Sequence, residues 1–480
     1  MNAQTPRSTN ALLAAVCVAQ FMVILDVAIV NIALPSMREG LHFSSTGLQW
    51  VVNAYTITFA GFLMLGARSA DLLGRRRVLV AGVGLFAFAS LVSAVASSPG
   101  MLVAARALQG FAGAAVSPAT LSIITSSLPE GPERNRGLGL WAALGGLGAS
   151  SGALLGGALT QAFGWPAIFA INVPIGAIVI ALALRSIPAD PVRSGPRNFD
   201  VSGAVLVTLG LTGLTYGIVR TDALGWGSTG VLGPIGAAVV LLAAFALLEG
   251  RFATAPLVPL SIFRLRTLRA ANLAVLLMYA ALFSMFYFIT LYLQQVLHQS
   301  ALVAGLSFLP MTLAVFSGSA LAPRLVARFG VRPVVTAGML IGAAGLLVFT
   351  SLHPGASYFA LVLPGAIPTG LGMGLGLVSS TIAATQGVPQ HQSGLASGLL
   401  NMARLFGGAV GLAVLGTLAA GHEHPGHGVS ALQALTNGYG LAFKVGVVIL
   451  LAAAAVAVLQ LRPESEPSLA SAPLGENARP

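Results

Sequence analysis

The chain has 480 residues, of which 56% are hydrophobic and 8% charged, with a net charge of +11. No water-soluble fold buries that much apolar side chain, so the composition excludes a soluble enzyme or binding module and points to a helical protein that crosses a bilayer many times. The positive charge does not indicate nucleic acid, because the arginines fall in short loops between apolar runs, and the single cysteine, Cys17, excludes an intrachain disulfide.

Fourteen apolar runs are predicted to span the membrane, near residues 11–35, 48–67, 78–97, 101–123, 137–160, 167–185, 201–220, 231–248, 270–293, 302–322, 333–352, 357–380, 393–418 and 441–461. The first is too long for a signal-peptide core and lacks a clear cleavage site, so it is read as a retained span. With the N-terminus inside, one side of the membrane collects Arg7, Arg68, Arg75, Arg76, Arg77, Arg134, Arg136 and most of the remaining arginines. The other side holds Arg38, Arg220 and, where the last span begins, Lys444. That asymmetry predicts a multi-pass protein of the cytoplasmic membrane with both termini in the cytoplasm. The tail after Arg462, rich in Pro, Ser and Ala, is expected to be disordered.

The first membrane run contains Asp26, the only acidic residue deep in a predicted span. A carboxylate at the bilayer centre costs about 2.5–3.5 kcal/mol on insertion scales, so such a group faces protein or water and is a functional candidate. Counting along the helices places Asp26 roughly 13 Å, and Arg106 of the fourth span roughly 8 Å, from the same membrane face. The two can therefore pair, either as a proton-operated latch or as a static ion pair fixing helix register. Buried pairs stabilise weakly, which favours the latch.

Further along, Gly148, Gly152 and Gly156 recur every four residues on one helical face, with Gly157 beside them, and would let another helix approach closely. In the ninth span Tyr279, Phe283 and Tyr287 share a face that could bind flat or cationic ligands, or instead pack against protein or lipid. Asn31, Asn53, Tyr55, Gln109 and Asn401 are polar residues within spans, candidates for lining a cavity or for bonds between helices. Arg404, mid-span in the thirteenth helix, could pair with a substrate anion, bind backbone carbonyls or meet Asp26. His422, His424 and His427 read as a solvated loop, and no metal site is expected.

The sequence also repeats. Arg68-Ser69-Ala70-Asp71-Leu72-Leu73-Gly74-Arg75-Arg76-Arg77 follows the second span, and Arg324-Leu325-Val326-Ala327-Arg328-Phe329-Gly330-Val331-Arg332 follows the tenth. Two six-helix halves, 11–185 and 270–461, are therefore expected, separated by two inserted helices at 201–248. Residues 1–10 would form a cytoplasmic N-terminus, 186–200 and 249–269 cytoplasmic linkers, and 462–480 the tail. The inserted spans carry no deep charge and interrupt the repeat, so they are not expected to form the cavity.

Several stretches resemble the major facilitator superfamily, and within it the fourteen-helix drug:proton antiporter branch. Leu25 to Pro35 is similar to the first-helix motif L-D-x-T-V-V-N-x-A-L-P, with Ala28 where Thr is common. Arg68 to Arg77 resembles the loop motif G-R-x-A-D-R-x-G-R-R, departing at Ala67 and Leu72. Arg106, Gln109 and Gly110 resemble the fourth-helix R-x-x-Q-G pattern, and Gly148 to Gly157 the antiporter motif, with Ala153 in place of its proline. Phe169 to Gly176, Leu291 to Gln295 and Gly394 to Gly408 also match branch features. The resemblance implies an all-α major facilitator fold and proton-coupled export of apolar small molecules such as antibiotics. It implies that Asp71, with Arg68, Gly74, Arg75 and Arg76, stabilises one conformational state, and that the glycine face seals the cavity of an exchanger. The expected partners are protons, a small-molecule substrate and lipid, with the protein acting as a monomer. No phosphate-binding loop occurs, so the proton gradient is the expected energy source and no cofactor is expected. Uptake or symport of a metabolite on the same fold is the alternative, and a membrane enzyme or scaffold a more distant one.

Overall fold

In the computed structural model the described residues are 6–129, 131–188, 200–252, 260–386, 388, 393–422 and 430–461. Twelve helices form two six-helix halves. The first half holds α1 (Pro6–Leu41), α2 (Ser45–Leu73), α3 (Arg75–Ala94), α4 (Pro99–Ser127), α5 (Pro132–Phe163) and α6 (Asn172–Ser186). An inserted hairpin follows, α7 (Val201–Val219) and α8 (Thr229–Leu247). The second half holds α9 (Arg266–Leu291), α10 (Leu309–Phe329), α11 (Val331–Phe349), α12 (Leu363–Thr385), α13 (Ser393–Ala420) and α14 (Ala431–Gln460). Among the described residues thirteen helices are long and apolar enough to cross a membrane. The remaining predicted span, 137–160, falls within α5, a helix of 32 residues several of whose side chains lie outside the described set.

Backbone geometry shows the repeat directly. Gly74 joins α2 to α3 with φ +98°, and Gly330 joins α10 to α11 with φ +80°. Both adopt a conformation open to glycine and strained for any other residue. A second pair lies at the opposite end of the bundle. His42 follows α1 with φ +56°, and His298 stands two residues before Ser300 with φ +52°. Two residues after each histidine a serine caps the next helix: Ser44 Oγ accepts from Gly47 N at 3.0 Å, and Ser300 Oγ from Val303 N at 3.4 Å.

The halves meet along two seams. In one, α2 packs against α13. In the other, α5 packs against the short helix Ala301–Ser307 that leads into α10. At the arginine-poor end Gln294 Nε2 donates to the Ile32 carbonyl at 2.8 Å, and Arg38 Nη1 to Gln295 Oε1 at 3.5 Å. Beside these bonds lies a polar cleft of about 680 Å³ lined by Arg38, Glu39, His42, Gln294, His298 and Gln299 among others. The first helix is longer than its predicted span: it runs through Pro35 to Leu41. Proline removes one hydrogen-bond donor without stopping a helix whose flanking turns are held by packing.

Packing also places the inserted hairpin. Val207 and Leu211 of α7 join a small core with Ile57 of α2 and Ala409 of α13, and Thr417 Oγ1 donates to the Ile218 carbonyl at 3.4 Å. The pair thus sits on the flank of one seam. α8 presents Leu232, Val239, Val240 and Leu247 outward, which in a membrane protein is the lipid-facing side.

Candidate functional site

Asp26 is fully buried in the middle of α1, and three donors converge on its carboxylate. Arg106 Nη1 of α4 bonds Oδ2 at 2.5 Å. Gln109 Nε2, one helical turn further along α4, donates to Oδ1 at 3.1 Å. Asn172 Nδ2, the first residue of α6, donates to the same Oδ1 at 2.9 Å. Asp26 is 0% exposed and Arg106 and Asn172 1%, so the carboxylate is held in a dry site by charge-assisted bonds.

Arg106 is itself locked from several sides. Its Nε donates to the Val51 carbonyl of α2 at 3.0 Å, and Nη1 also reaches Gln109 Oε1 at 2.9 Å. The guanidinium lies 4.4 Å from the centre of the Tyr55 ring and 5.7 Å from that of Phe169, an arrangement that favours a cation over an aromatic face. Gln109 is held in turn by α3. Its Nε2 donates to Ser90 Oγ at 2.6 Å, and Ser93 Oγ donates to its Oε1 at 3.4 Å. Five helices of the first half, α1 to α4 and α6, thus share one polar knot.

Local sequence explains the place of Asn172. Pro174 lacks the N–H that would bond the Ala170 carbonyl, and the next bond, Ile175 N to the Ile171 carbonyl, is stretched to 3.5 Å. The sixth span is therefore broken into Ala167–Ala170 and α6. Asn172 stands at the break and reaches the carboxylate from a helix that starts at its depth.

The glycine face of α5 lies against α1 on both sides of this level. A Cβ at Gly148 would sit 3.0 Å from the Phe21 carbonyl oxygen, and at Gly156 2.8 Å from that of Ile29. At Gly152 it would sit 3.1 Å from Ile29 N and clash with the Ala28 side chain. Gly157 faces the other half, where a Cβ would come within 2.7 Å of Leu302 Cα. Gly305 of that segment presses in turn on the Ala153 carbonyl. One face therefore fits α1 and its edge fits the second half. Gly152→Ala is expected to destabilise the protein by about 1–3 kcal/mol through overpacking and to reduce transport. Gly139→Ala on the same helix, where a Cβ meets nothing within 4 Å, should leave both unchanged. Thermal unfolding in detergent and efflux assays of the two variants make the comparison.

The remaining predicted residues separate into groups. Tyr55 and Gln109 belong to the Asp26 knot. Asn31 spends its amide on its own helix, Nδ2 donating to the Val27 carbonyl at 3.2 Å. Asn53 is fully buried and neither amide atom has a partner among the described residues. In the second half Arg404 lies with its guanidinium 5.5 Å from the centre of the Tyr279 ring. Of the options open for Arg404, a bond to Asp26 is not realised, because both carboxylate oxygens are taken by first-half donors. Phe283 packs beside Gly408 of α13, and Tyr287 OH donates to the Ser45 carbonyl of the first half at 3.4 Å. Tyr279 and Tyr287 are buried and Phe283 partly so; this aromatic face looks at protein. Asn401 is half-buried on α13.

In the loop motif, Arg75 Nε donates to Ser122 Oγ at 2.7 Å. Arg76 Nη2 donates to the Leu184 carbonyl at 3.0 Å, capping the last turn of α6. Arg68 is exposed. The side chain of Asp71 lies outside the described residues, as do His424 and His427. Among the described residues no cluster of three metal-ligating side chains occurs. The sequence pattern assigns no role to Asn172, Ser90 or Ser93. The signal it carries for Asn172 is an amide two residues before a proline inside an apolar run.

Two six-helix halves, a hairpin between them and a buried acid–arginine knot are the architecture of a membrane transporter rather than an enzyme. Similarity to known proteins agrees: residues 16–412 match the Major Facilitator Superfamily, and the chain belongs to that family. It is 40% identical to the cephamycin export protein CmcT of Amycolatopsis lactamdurans over 94% of this chain and 92% of that one. It is 36% identical to the puromycin resistance protein pur8 of Streptomyces alboniger over 96% of this chain and 93% of that one. Among solved structures, a bacterial homologue of the human lysosomal transporter Spinster superposes with a TM-score of 0.66 at 16% identity, covering 96% of this chain and 97% of that one. The nucleoside transporter NupG gives 0.65 at 14%, covering 93% and 98%. At these identities the structural matches show the fold alone.

Proposed function

We propose that this transporter exports apolar small molecules, antibiotics among them, from the cytoplasm in exchange for protons. The observation that carries the coupling is the fully buried Asp26 held by Arg106, Gln109 and Asn172. The ionised carboxylate fastens α1 to α4 and α6. Taking up a proton removes the charge that holds Arg106, so the first half gains a second arrangement. The halves 11–185 and 270–461 then rock about the seams α2–α13 and α5–Ala301–Ser307, and opening at the arginine-poor end breaks the Gln294–Ile32 and Arg38–Gln295 bonds. The positive-inside rule places that end outside and both termini in the cytoplasm. The proton gradient supplies the energy, no cofactor takes part, and the working unit is the monomer.

Export rather than uptake is supported by the names of the relatives, an export protein and a resistance protein. The test is transport of cephamycin and puromycin by purified protein in liposomes with an imposed pH difference. An antiporter moves substrate from the alkaline into the acidic compartment, against its own gradient, and collapse of the pH difference stops it. Accumulation on the alkaline side would identify a symporter and overturn the proposal.

A further inference from the structure

Two amides touch the Asp26 carboxylate, and they are held very differently. Gln109 is bound at both ends: its oxygen accepts from Arg106 at 2.9 Å, and its nitrogen donates to Ser90 at 2.6 Å as well as to Asp26. Turning that amide over would point its N–H groups at the guanidinium, donor against donor. Asn172 is bound at one end alone. Its nitrogen donates to Asp26 Oδ1 at 2.9 Å, while its own oxygen is buried without a partner among the described residues. A permanent donor in a packed interior normally has its carbonyl satisfied. An amide whose oxygen is idle can rotate by half a turn and lose nothing on that side.

The two protonation states of the acid ask for opposite partners. The carboxylate needs donors; the carboxylic acid carries an O–H that needs an acceptor. With Oδ2 facing Arg106 and Gln109 unable to turn, the acceptor within reach of Oδ1 is the oxygen of Asn172. The geometry points to Asn172 as the positioning residue that follows the protonation of Asp26, donating its N–H to the carboxylate and, after an amide flip, accepting the O–H of the acid through its carbonyl. The titratable and charged groups facing this pair among the described residues are Arg106 from α4 and Tyr55 from α2; α3 contributes the hydroxyls of Ser90 and Ser93, and α5 the glycine face. None of these offers a free amide carbonyl, and the unpartnered Tyr55 hydroxyl points to Gly113, one turn beyond Gln109 on α4. Asn172 keeps the acid bonded in both states, so the knot can release Arg106 without leaving a bare buried carboxyl group. This inference rests on the reading of Asp26 as the proton carrier.

Infrared difference spectra between acid and alkaline pH test it on the intact protein, without substrate. The carboxylic C=O band of Asp26 is identified by its loss in Asp26→Asn, and the amide C=O band of Asn172 by isotope-labelled asparagine and its loss in Asn172→Leu. The expected result is that both bands change with the same pH midpoint, the amide band moving as its carbonyl gains a hydrogen bond. In Asn172→Leu the midpoint of the Asp26 band should rise by about one pH unit, since a bond to the charged form is the stronger of the two lost. In Asn172→Gln, which keeps an amide that donates or accepts, it should lie closer to wild type than in Asn172→Leu. If the Asp26 band titrates while the Asn172 amide band stays fixed, or if Asn172→Leu leaves the midpoint in place, the switch is overturned and proton carriage stands. If no band dependent on Asp26 titrates, proton carriage fails, and the switch with it.

Discussion

Asp26→Asn should abolish export against a gradient while leaving the folded protein in the membrane. The amide has nearly the shape of the acid and bears no charge. It keeps an oxygen that can accept from Arg106 or from Gln109 and Asn172, but it cannot take up or release a proton. Two of the three bonds at this site come from neutral amide donors (3.1 and 2.9 Å) that the oxygen of a second amide can partly satisfy, so loss of folding is not expected. Substrate should still equilibrate down its own gradient, because binding does not require a proton cycle. Asp26→Glu should retain part of the activity, as the titratable group survives one methylene further out. The measurement is efflux from proteoliposomes at a set pH difference. Wild-type rate and wild-type gradient in Asp26→Asn would remove Asp26 from the coupling step, and the sequence offers no second carboxylate deep in a predicted span to replace it.

Arg106→Ala should be equally damaging for a different reason. It strands a fully buried acid and also removes four other contacts: those to the Val51 carbonyl, to Gln109 Oε1 and to the faces of Tyr55 and Phe169. Removing one partner of a buried pair typically costs 3–5 kcal/mol, on the order of a 100-fold or greater loss if it falls on the transport cycle. With no cation beside it the carboxylate form is costly in this buried site, which stops the cycle. Arg106→Lys should rescue little, because an ammonium cannot serve the carboxylate, the amide oxygen and the backbone carbonyl at once, nor stack flat on Tyr55. The double variant Asp26→Asn/Arg106→Ala should unfold at a higher temperature than Arg106→Ala alone, since it removes the stranded acid. Full uphill export by Arg106→Lys would show that charge alone, without the fork of donors, is sufficient.

Part of this site is legible in the sequence alone, and the reason is geometric. Depth along a membrane helix is linear in sequence, at 1.5 Å per residue, so placing Asp26 and Arg106 at similar depth needs only two helix ends. The predicted end of α1 falls short, since the helix continues past Pro35 to Leu41. The pair forms nonetheless, because the knot is fixed by side chains from several helices rather than by one helix end. The glycine spacing on α5 likewise predicts a close helix neighbour, and α1 is that neighbour. Azimuth is not legible. Whether Gln109 turns to Asp26 or to lipid, and whether Tyr279 meets a ligand or Arg404, depends on helix rotation against neighbours far away in the chain.

Hydropathy places the membrane spans, the recurring arginine–glycine loop gives the twofold repeat, and the cost of a charge in hydrocarbon marks out Asp26. The full set of partners of that acid comes from packing. The break before α6 brings Asn172 to the carboxylate from 146 residues away, α3 pins Gln109 through Ser90, and α2 lends Arg106 a backbone carbonyl and an aromatic face. Packing sets these angles, and in a dry interior each donor must find an acceptor; no local pattern in the chain encodes which one it finds.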